Sequence, residues 1–370
     1  MRIILILLVL LLSACGERKQ IVEELALINV ISYDLSENEE EPLQVTINYP
    51  IINNEGELTN DILSVQSKSS KDARMKFTNL SNLQVVSGQV HLALLGRELA
   101  EKGILQILDT FKRDPNIGSH VNLAIAEDNG FDLLTFESKE GDSSASYLLT
   151  MFNKLKAEKE SVNYHTFQFF RDYYDDGIDP FLPIVSIKDN KQAIVGYGLF
   201  KKDKYVEKIN MGQSLILFYL RDDINKGIIN LNVSVGEEEE DDKLLQSRVT
   251  FDYKKSDSNT SVKIKNDTVE LKKNVELEIS LLEYTGSMNL SEEKNQKIIE
   301  KKIEEYLNNR TNEFMGQLQE FGCDPIGIGK YVRNHMTYQQ WQETNWDQLY
   351  SSMDINIKSK VKIMDFGKAK

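Results

Sequence analysis

Cysteine is nearly absent from this chain. Two of 370 residues are Cys, at positions 15 and 323. Two thiols cannot make a disulfide framework, and a body this long can bury a sizeable core without one. Histidine is also scarce. The four His residues, 91, 120, 165 and 335, show no metal-ligand spacing to one another or to Cys. Long apolar runs are missing. Ile3 to Leu12 is an apolar stretch; its ten residues give roughly 15 Å of helix, against a hydrocarbon core of about 30 Å. Leu215 to Leu220, the longest later run, is shorter still and is bounded by Gln213-Ser214 and Arg221-Asp222-Asp223. Neither can span a bilayer. Positive charge is in deficit, with 44 Lys and Arg against 58 Asp and Glu, a net charge of −14. Nucleic acid is thereby excluded as a natural partner, since its affinity comes from Lys and Arg neutralising phosphates.

Recognisable catalytic motifs are missing too. There is no Gly-x-Ser-x-Gly elbow. Gly327-Ile328-Gly329-Lys330 faintly suggests a phosphate loop. It fails the pattern, because Tyr331 stands where Ser or Thr is needed and Asp324 where the first Gly belongs. A phosphate loop also joins a strand to a helix, whereas this one follows a helix, so a structural turn is expected. Gly196-Tyr197-Gly198 reads as a strand whose small residues allow close packing. The run Glu237 to Asp242 lacks the spaced ligands and turn glycine of a calcium loop and reads as a solvated loop. No catalytic, cofactor-binding or metal-binding residue is assigned, and no cofactor is expected.

What is present starts at the N-terminus. Arg2 precedes the apolar run, and Leu12-Ser13-Ala14-Cys15 closes it. A short positive region, an apolar region and small residues directly before a Cys make a lipoprotein signal. The expectation is cleavage before Cys15, with S-diacylglycerol on its thiol and an acyl group on its new N-terminus. Residues 1–14 are then the signal peptide and 15–24 a lipidated polar tether. Removing Arg2 leaves a body of about −15, which anionic lipid repels, so lipid alone must do the tethering. Acylation of Cys15 isolates Cys323, which reads as a small residue packed after a helix.

The remaining chain reads as α+β with several domains. Leu25 to Tyr33 and Leu43 to Pro50 are predicted strands of a hairpin, and Ser69 to Phe77 a helix. Val90 to Gly96, an amphipathic helix Glu98 to Lys112 stopped by Asp114-Pro115-Asn116, and Val121 to Ala126 form a predicted βαβ unit. Helices follow at Tyr147 to Ala157 and Thr166 to Tyr174, then strands at Pro183 to Ile187 and Ala193 to Phe200. Gly227 to Val235 alternates with Ile229, Leu231, Val233 and Val235 on one face. Four short strands, 247–253, 261–265, 268–272 and 275–284, form a half-buried antiparallel sheet. Ser291 is read as the cap of a long helix ending at Gly322, lying across that sheet. Ile355, Ile357, Val361 and Ile363 share one face of a closing strand. Trp341 and Trp346, near Tyr338 and Tyr350, read as core beside the long helix. The expected division is an N-terminal α/β domain, 25–190, with the βαβ unit, and a C-terminal α+β region, 191–370, with room for a split near 245.

These residues resemble the Ger(x)C spore germination lipoproteins, the C subunits of nutrient germinant receptors (GerAC, GerBC and GerKC among them). The family's Glu-Leu-Ala strand after the lipidated Cys is matched by Glu24-Leu25-Ala26. Its central segment resembles His91, Gly96, Leu99-Ala100, Gly103-Ile104, Asp109 and Arg113-Asp114, and its Gly…Phe-Lys strand resembles Gly196 to Lys201. Its C-terminal pattern resembles Asp324-Pro325-Ile326-Gly327-Ile328-Gly329, then Trp341 with Trp346, then Ile355 to Gly367. Gly16-Glu17 stands where the family often has Trp-Asp. The resemblance implies mixed and antiparallel sheets, each flanked by helices. It also implies a place on the outer face of the spore's inner membrane beside integral-membrane A-type and B-type subunits. No catalytic residue comes with it. The function expected is a non-enzymatic subunit that supports nutrient-triggered germination by assembly or signal relay. A solute-binding lipoprotein of a transporter is the alternative, and an exported enzyme a third reading.

Overall fold

The computed structural model describes residues 24–52, 56–137, 143–158, 165–221, 227–232, 248–265 and 268–366. The signal 1–14, Cys15, the tether up to 23, the acidic run 237–242, and Val233 and Val235 lie outside the described residues.

The chain is α+β, as expected, and its sheets carry helices against them. It opens with β1 (Leu25–Leu27), β2 (Val30–Leu35), β3 (Leu43–Ile52) and β4 (Leu58–Ser67), followed by α1 (Ser70–Leu80) and β5 (Gln84–Val86). The single strand expected over Leu25 to Tyr33 is thus two. β1 pairs in parallel with β5 outside the main sheet, while β2 enters it. β6 (Leu92–Gly96), α2 (Arg97–Lys102), α3 (Leu105–Arg113) and β7 (Asn122–Ala126) come next. β6 and β7 are parallel neighbours, the pairing a βαβ unit requires.

The helix between them is not one helix but two. Gly103 has φ +117 and ends α2, and the Asp203 carboxylate accepts the Leu105 N–H at 3.1 Å to start α3. A Cβ on Gly103 would lie 2.8 Å from that carboxylate. Apolar periodicity runs through the break, because both helices bury the same face (Leu99, Ala100, Ile107, Leu108 and Phe111).

α4 (Gly130–Thr135), α5 (Ser144–Glu158), α6 (Thr166–Tyr174), β8 (Phe181–Lys188), β9 (Lys191–Lys201) and β10 (Lys204–Ile209) complete the first sheet. Its order is β10-β9-β8-β7-β6-β2-β3-β4. The parallel strands β2, β6, β7 and β8 sit in the middle. Their near-continuous apolar composition follows from burial on both faces. Ile31, Tyr33, Ala93, Leu95, Leu123 and Ile125 join the large core on one side. Val30, Leu92, Leu94, Ala124 and Ala126 pack with Leu133, Leu148 and Phe152 on the other. Residue 190 lies in the turn between β8 and β9, and the sheet continues across it through β9 and β10.

α7 (Met211–Leu220) then links the first sheet to a second. Phe218 packs on Tyr197 and Phe181, with ring centroids 4.9 and 5.9 Å away. The next residue, Tyr219, shares a hydrogen bond of 2.6 Å with Ser359 of the second sheet. That sheet is β11 (Gly227–Asn232), β12 (Arg248–Lys265), β13 (Thr268–Tyr284) and β14 (Asp354–Asp365), in that order. The four short strands expected from 247 to 284 are two long ones, β12 and β13, paired almost throughout. Polar residues from Lys254 to Thr260 look like a break in sequence, but exposed Lys255, Asp257 and Asn259 alternate with half-buried Ser256, Ser258 and Thr260, and the stretch stays paired with β13 from Glu278 to Lys273. β14 adds in parallel to β13, so the sheet is mixed.

α8 (Glu293–Phe321) lies along β14, and α9 (Ile328–Arg333), α10 (Tyr338–Glu343) and α11 (Trp346–Ser352) connect the two. Twenty-nine residues make α8 roughly 43 Å long. Ile299, Ile303, Leu307, Phe314 and Leu318 form its buried stripe, and Gly322 ends it at φ +66. Its N-cap is Glu292, not Ser291. The Ser291 N–H and hydroxyl both donate to the Asn289 side chain in the preceding turn.

Candidate functional site

The densest buried polar cluster lies where the loop before β8 meets the loop after α8. Cys323, Asp324 and Asp179 are all at most 3% exposed. The Asp324 carboxylate accepts the N–H groups of Gly327, Ile328 and Gly329 at 2.9, 3.0 and 2.8 Å. Across the joint, the Asp179 carboxylate accepts the N–H of Asp324 at 2.9 Å and that of Lys202 at 3.1 Å. The Asp179 N–H returns a bond to the Asp324 carbonyl at 2.9 Å. Lys201 bridges Asp179 at 3.4 Å and Asp347 of α11 at 2.7 Å. Gly177 and Gly329 let the two loops touch. A Cβ on Gly177 would sit 2.5 Å from the Gly329 carbonyl carbon, and one on Gly329 2.5 Å from Gly177 Cα.

A second buried ion pair closes the joint. Arg221, at the end of α7, meets Asp172 of α6, with side chains 5% and 2% exposed. It also donates to the Pro325 carbonyl at 2.6 Å and lies over the Phe181 ring, 5.0 Å from its centroid. Arg171 holds the other Asp172 oxygen at 2.8 Å.

Electrostatics follow from this burial. Desolvation pushes the Asp324 pKa up to about 6, and the neighbouring Asp179 charge adds to it; the three N–H donors oppose both without cancelling them. Burial also drives the Cys323 thiol far above its ordinary range, reinforced by Asp179 and Asp324. A thiol so rarely ionised is a poor nucleophile. Burial works against the Lys201 ammonium, but Asp179 and Asp347 outweigh it and hold its pKa above the usual lysine range. The Lys330 ammonium is depressed by burial and by Arg221.

The loop that resembled a phosphate cradle is therefore filled from within. The N–H groups a phosphate would use are bound to Asp324. The same happens at the carboxyl ends of the parallel strands, where open α/β sheets often hold ligands. There Asp34 of β2, 3% exposed, accepts the N–H groups of Gly130 and Phe131 at 2.7 and 3.1 Å and so occupies the start of α4. Burial raises its pKa despite those bonds.

The other singled-out residues are scattered. His91 lies at the start of β6 and serves through its backbone, donating to Asn29 and accepting from Asn122. His120 and His165 come together, ring centroids 5.8 Å apart, a pairing that their separation of 45 positions hides from the sequence. Among the described residues, no group of three or more His, Cys, Asp and Glu is placed to hold a metal. Trp341 and Trp346 meet at 5.6 Å with their rings tilted by 40°, and Trp346 meets Tyr350 at 5.3 Å, packing beside α8. Gly196 and Gly198 admit the Ile209 carbonyl and the Tyr205 ring, as close packing requires. Asp179, Asp172 and Arg221 were not singled out from sequence. Asp179 lies between the expected helix ending at Tyr174 and the expected strand from Pro183, and Arg221 was read only as the boundary of an apolar run.

Two family models match the chain in tandem. Residues 18–187 match the spore germination protein N-terminal domain, and residues 195–367 the spore germination B3/GerAC-like C-terminal domain. The chain belongs to the Ger(x)C family. It is a spore germination protein of the germinant receptor C-subunit group. A Bacillus cereus relative, spore germination protein GerQC, is 24% identical over 365 residues, covering 99% of this chain and 98% of that one. The crystal structure of the GerBC protein has the same fold, with a TM-score of 0.56, 17% identity, and coverage of 90% of this chain and 97% of that one. The joint carries the family's Asp-Pro-x-Gly-x-Gly pattern: Asp324 is the carboxylate, Gly327 takes φ +83, and Gly329 is the close contact. No helix among the described residues is long and apolar enough to cross a membrane.

Proposed function

We propose that this Ger(x)C protein is the lipid-anchored, non-enzymatic C subunit of a nutrient germinant receptor. Lipid on Cys15 holds it on the outer face of the spore's inner membrane. It acts there by assembly or signal relay with integral-membrane A-type and B-type subunits. The observation that carries the reading is the tandem match, which covers the chain from 18 to 367. What precedes it is the Arg2 to Cys15 lipoprotein signal.

The filled loops support a role without catalysis. Asp324 and Asp34 occupy two sets of backbone N–H groups that an anionic ligand would otherwise use, and the Cys323 thiol is buried and protonated. Their chemistry holds the fold together. A transporter's solute-binding protein would place ligand between two doubly wound lobes. Here the second sheet is a mixed ribbon with one long helix along its edge, and that alternative has no observation in its favour.

Deleting the chain should abolish germination triggered by the receptor's nutrient while leaving a non-nutrient trigger effective. Detergent extracts should yield the chain together with two multi-span membrane proteins. Normal nutrient germination in the deletion strain, with no sister receptor to account for it, would overturn the reading.

A further inference from the structure

Exposed apolar surface gathers where the tether enters the fold. Ile52, Leu58 and Leu80 are 62, 75 and 64% exposed. Ile52 and Leu58 are cross-strand partners at the end of the β3–β4 pair. With Leu25, Leu27 and Leu83 they line a groove of about 390 Å³. Leu80 ends α1, two residues before Asn82, which also lines the groove. Among the described residues, Asp61 is the sole charged residue lining it, and its carboxylate is engaged by the Tyr49 hydroxyl at 2.7 Å.

The position of this groove matters because of what precedes it. Leu25 begins β1 and stands ten residues after Cys15. Ten residues reach at most about 36 Å. A lipid on Cys15 therefore keeps the groove within that distance of a bilayer, at high effective concentration. Among the described residues no basic residue lines the groove, so its contact with lipid would be apolar and not an attraction to anionic headgroups.

We propose that this groove and its rim, Ile52, Leu58 and Leu80, seat against the bilayer surface, their side chains at the boundary between headgroups and acyl chains. The proposal rests on the lipid-anchored reading above. It adds an orientation: the β3–β4 end of the first sheet faces the membrane.

The test uses the chain from Cys15 to Lys370 coupled through the Cys15 thiol to a single alkyl-maleimide chain. Cys323 is buried and does not compete. One acyl chain binds membranes marginally and reversibly, so a second contact is measurable. Partition onto phosphatidylcholine vesicles should fall about tenfold in Leu58→Glu and in Ile52→Glu, as expected for losing most of one buried apolar side chain. Tyr338→Glu, at an 81% exposed site on α10, should leave it unchanged. Leu80→Glu, on a separate element, gives an independent reading, and matched thermal midpoints establish that the variants are folded. Unchanged partition in all three groove variants overturns the proposal and leaves the groove to a protein partner. Because the anchor is supplied chemically, that failure is distinct from failure of the lipidation reading, which would show as membrane retention of Cys15→Ala in cells.

Discussion

Three buried N–H groups depend on the Asp324 side chain. Asp324→Asn replaces one acceptor oxygen with a donor facing N–H groups and should cost about 1–3 kcal/mol in urea unfolding at neutral pH. The pH dependence has a definite sign. The folded pKa, about 6, is above the unfolded value. The stabilisation linked to its proton is therefore fully present below about pH 4 and lost as pH rises through 6. The stability gap between the parent chain and Asp324→Asn should narrow from pH 4.5 to 7.5. A gap that widens would contradict the raised pKa. Asp324 entered the sequence reading as a defect in a phosphate-loop pattern. That it fills the loop itself could not be read there, because the decisive fact is the folding back of three N–H groups onto a side chain.

At the scale of elements, the long helix also closes a sheet edge. The outer N–H groups of β14 at Ser359, Val361 and Ile363 donate to Asn308, Glu304 and Glu300 of α8, at 2.8, 2.9 and 2.8 Å. Four helical residues rise about 6 Å and two strand residues about 6.7 Å, so one acceptor per helical turn keeps step with alternate strand residues. An open edge is a template for wrong pairing. Glu300→Ala with Glu304→Ala should lower stability by about 1 kcal/mol per lost bond and raise aggregation, read by light scattering at the unfolding midpoint. Unaltered scattering and stability would show that the edge needs no cover. The apolar stripe of α8 and the alternation of β13 and β14 were legible because each follows one period. The break at Gly103 and the continuity of β12 were not. The first depends on Asp203, far along the chain, and the second on a polar stretch held by its partner strand.

For the whole molecule, the two sheets are joined through α7, the Asp179–Asp324 exchange and the Arg221–Asp172 pair. Arg221→Ala takes a buried cation from the buried Asp172 carboxylate and should cost about 3 kcal/mol. Gly329→Ala pushes a methyl into Gly177 and should loosen the same joint, seen as faster proteolysis between the halves; unchanged cleavage would refute the tight contact. The family pattern was readable as local strings of residues. The joint was not, since partners such as Asp179 and Asp324 lie 145 positions apart. The central claim is that Cys15 holds this body beside membrane-embedded receptor subunits. The most direct measurement is the amount of Cys15→Ala protein in the inner-membrane fraction of spores, taken with their response to nutrient. The account predicts that the variant leaves the membrane fraction and that nutrient germination falls with it. Full retention with normal germination would contradict it.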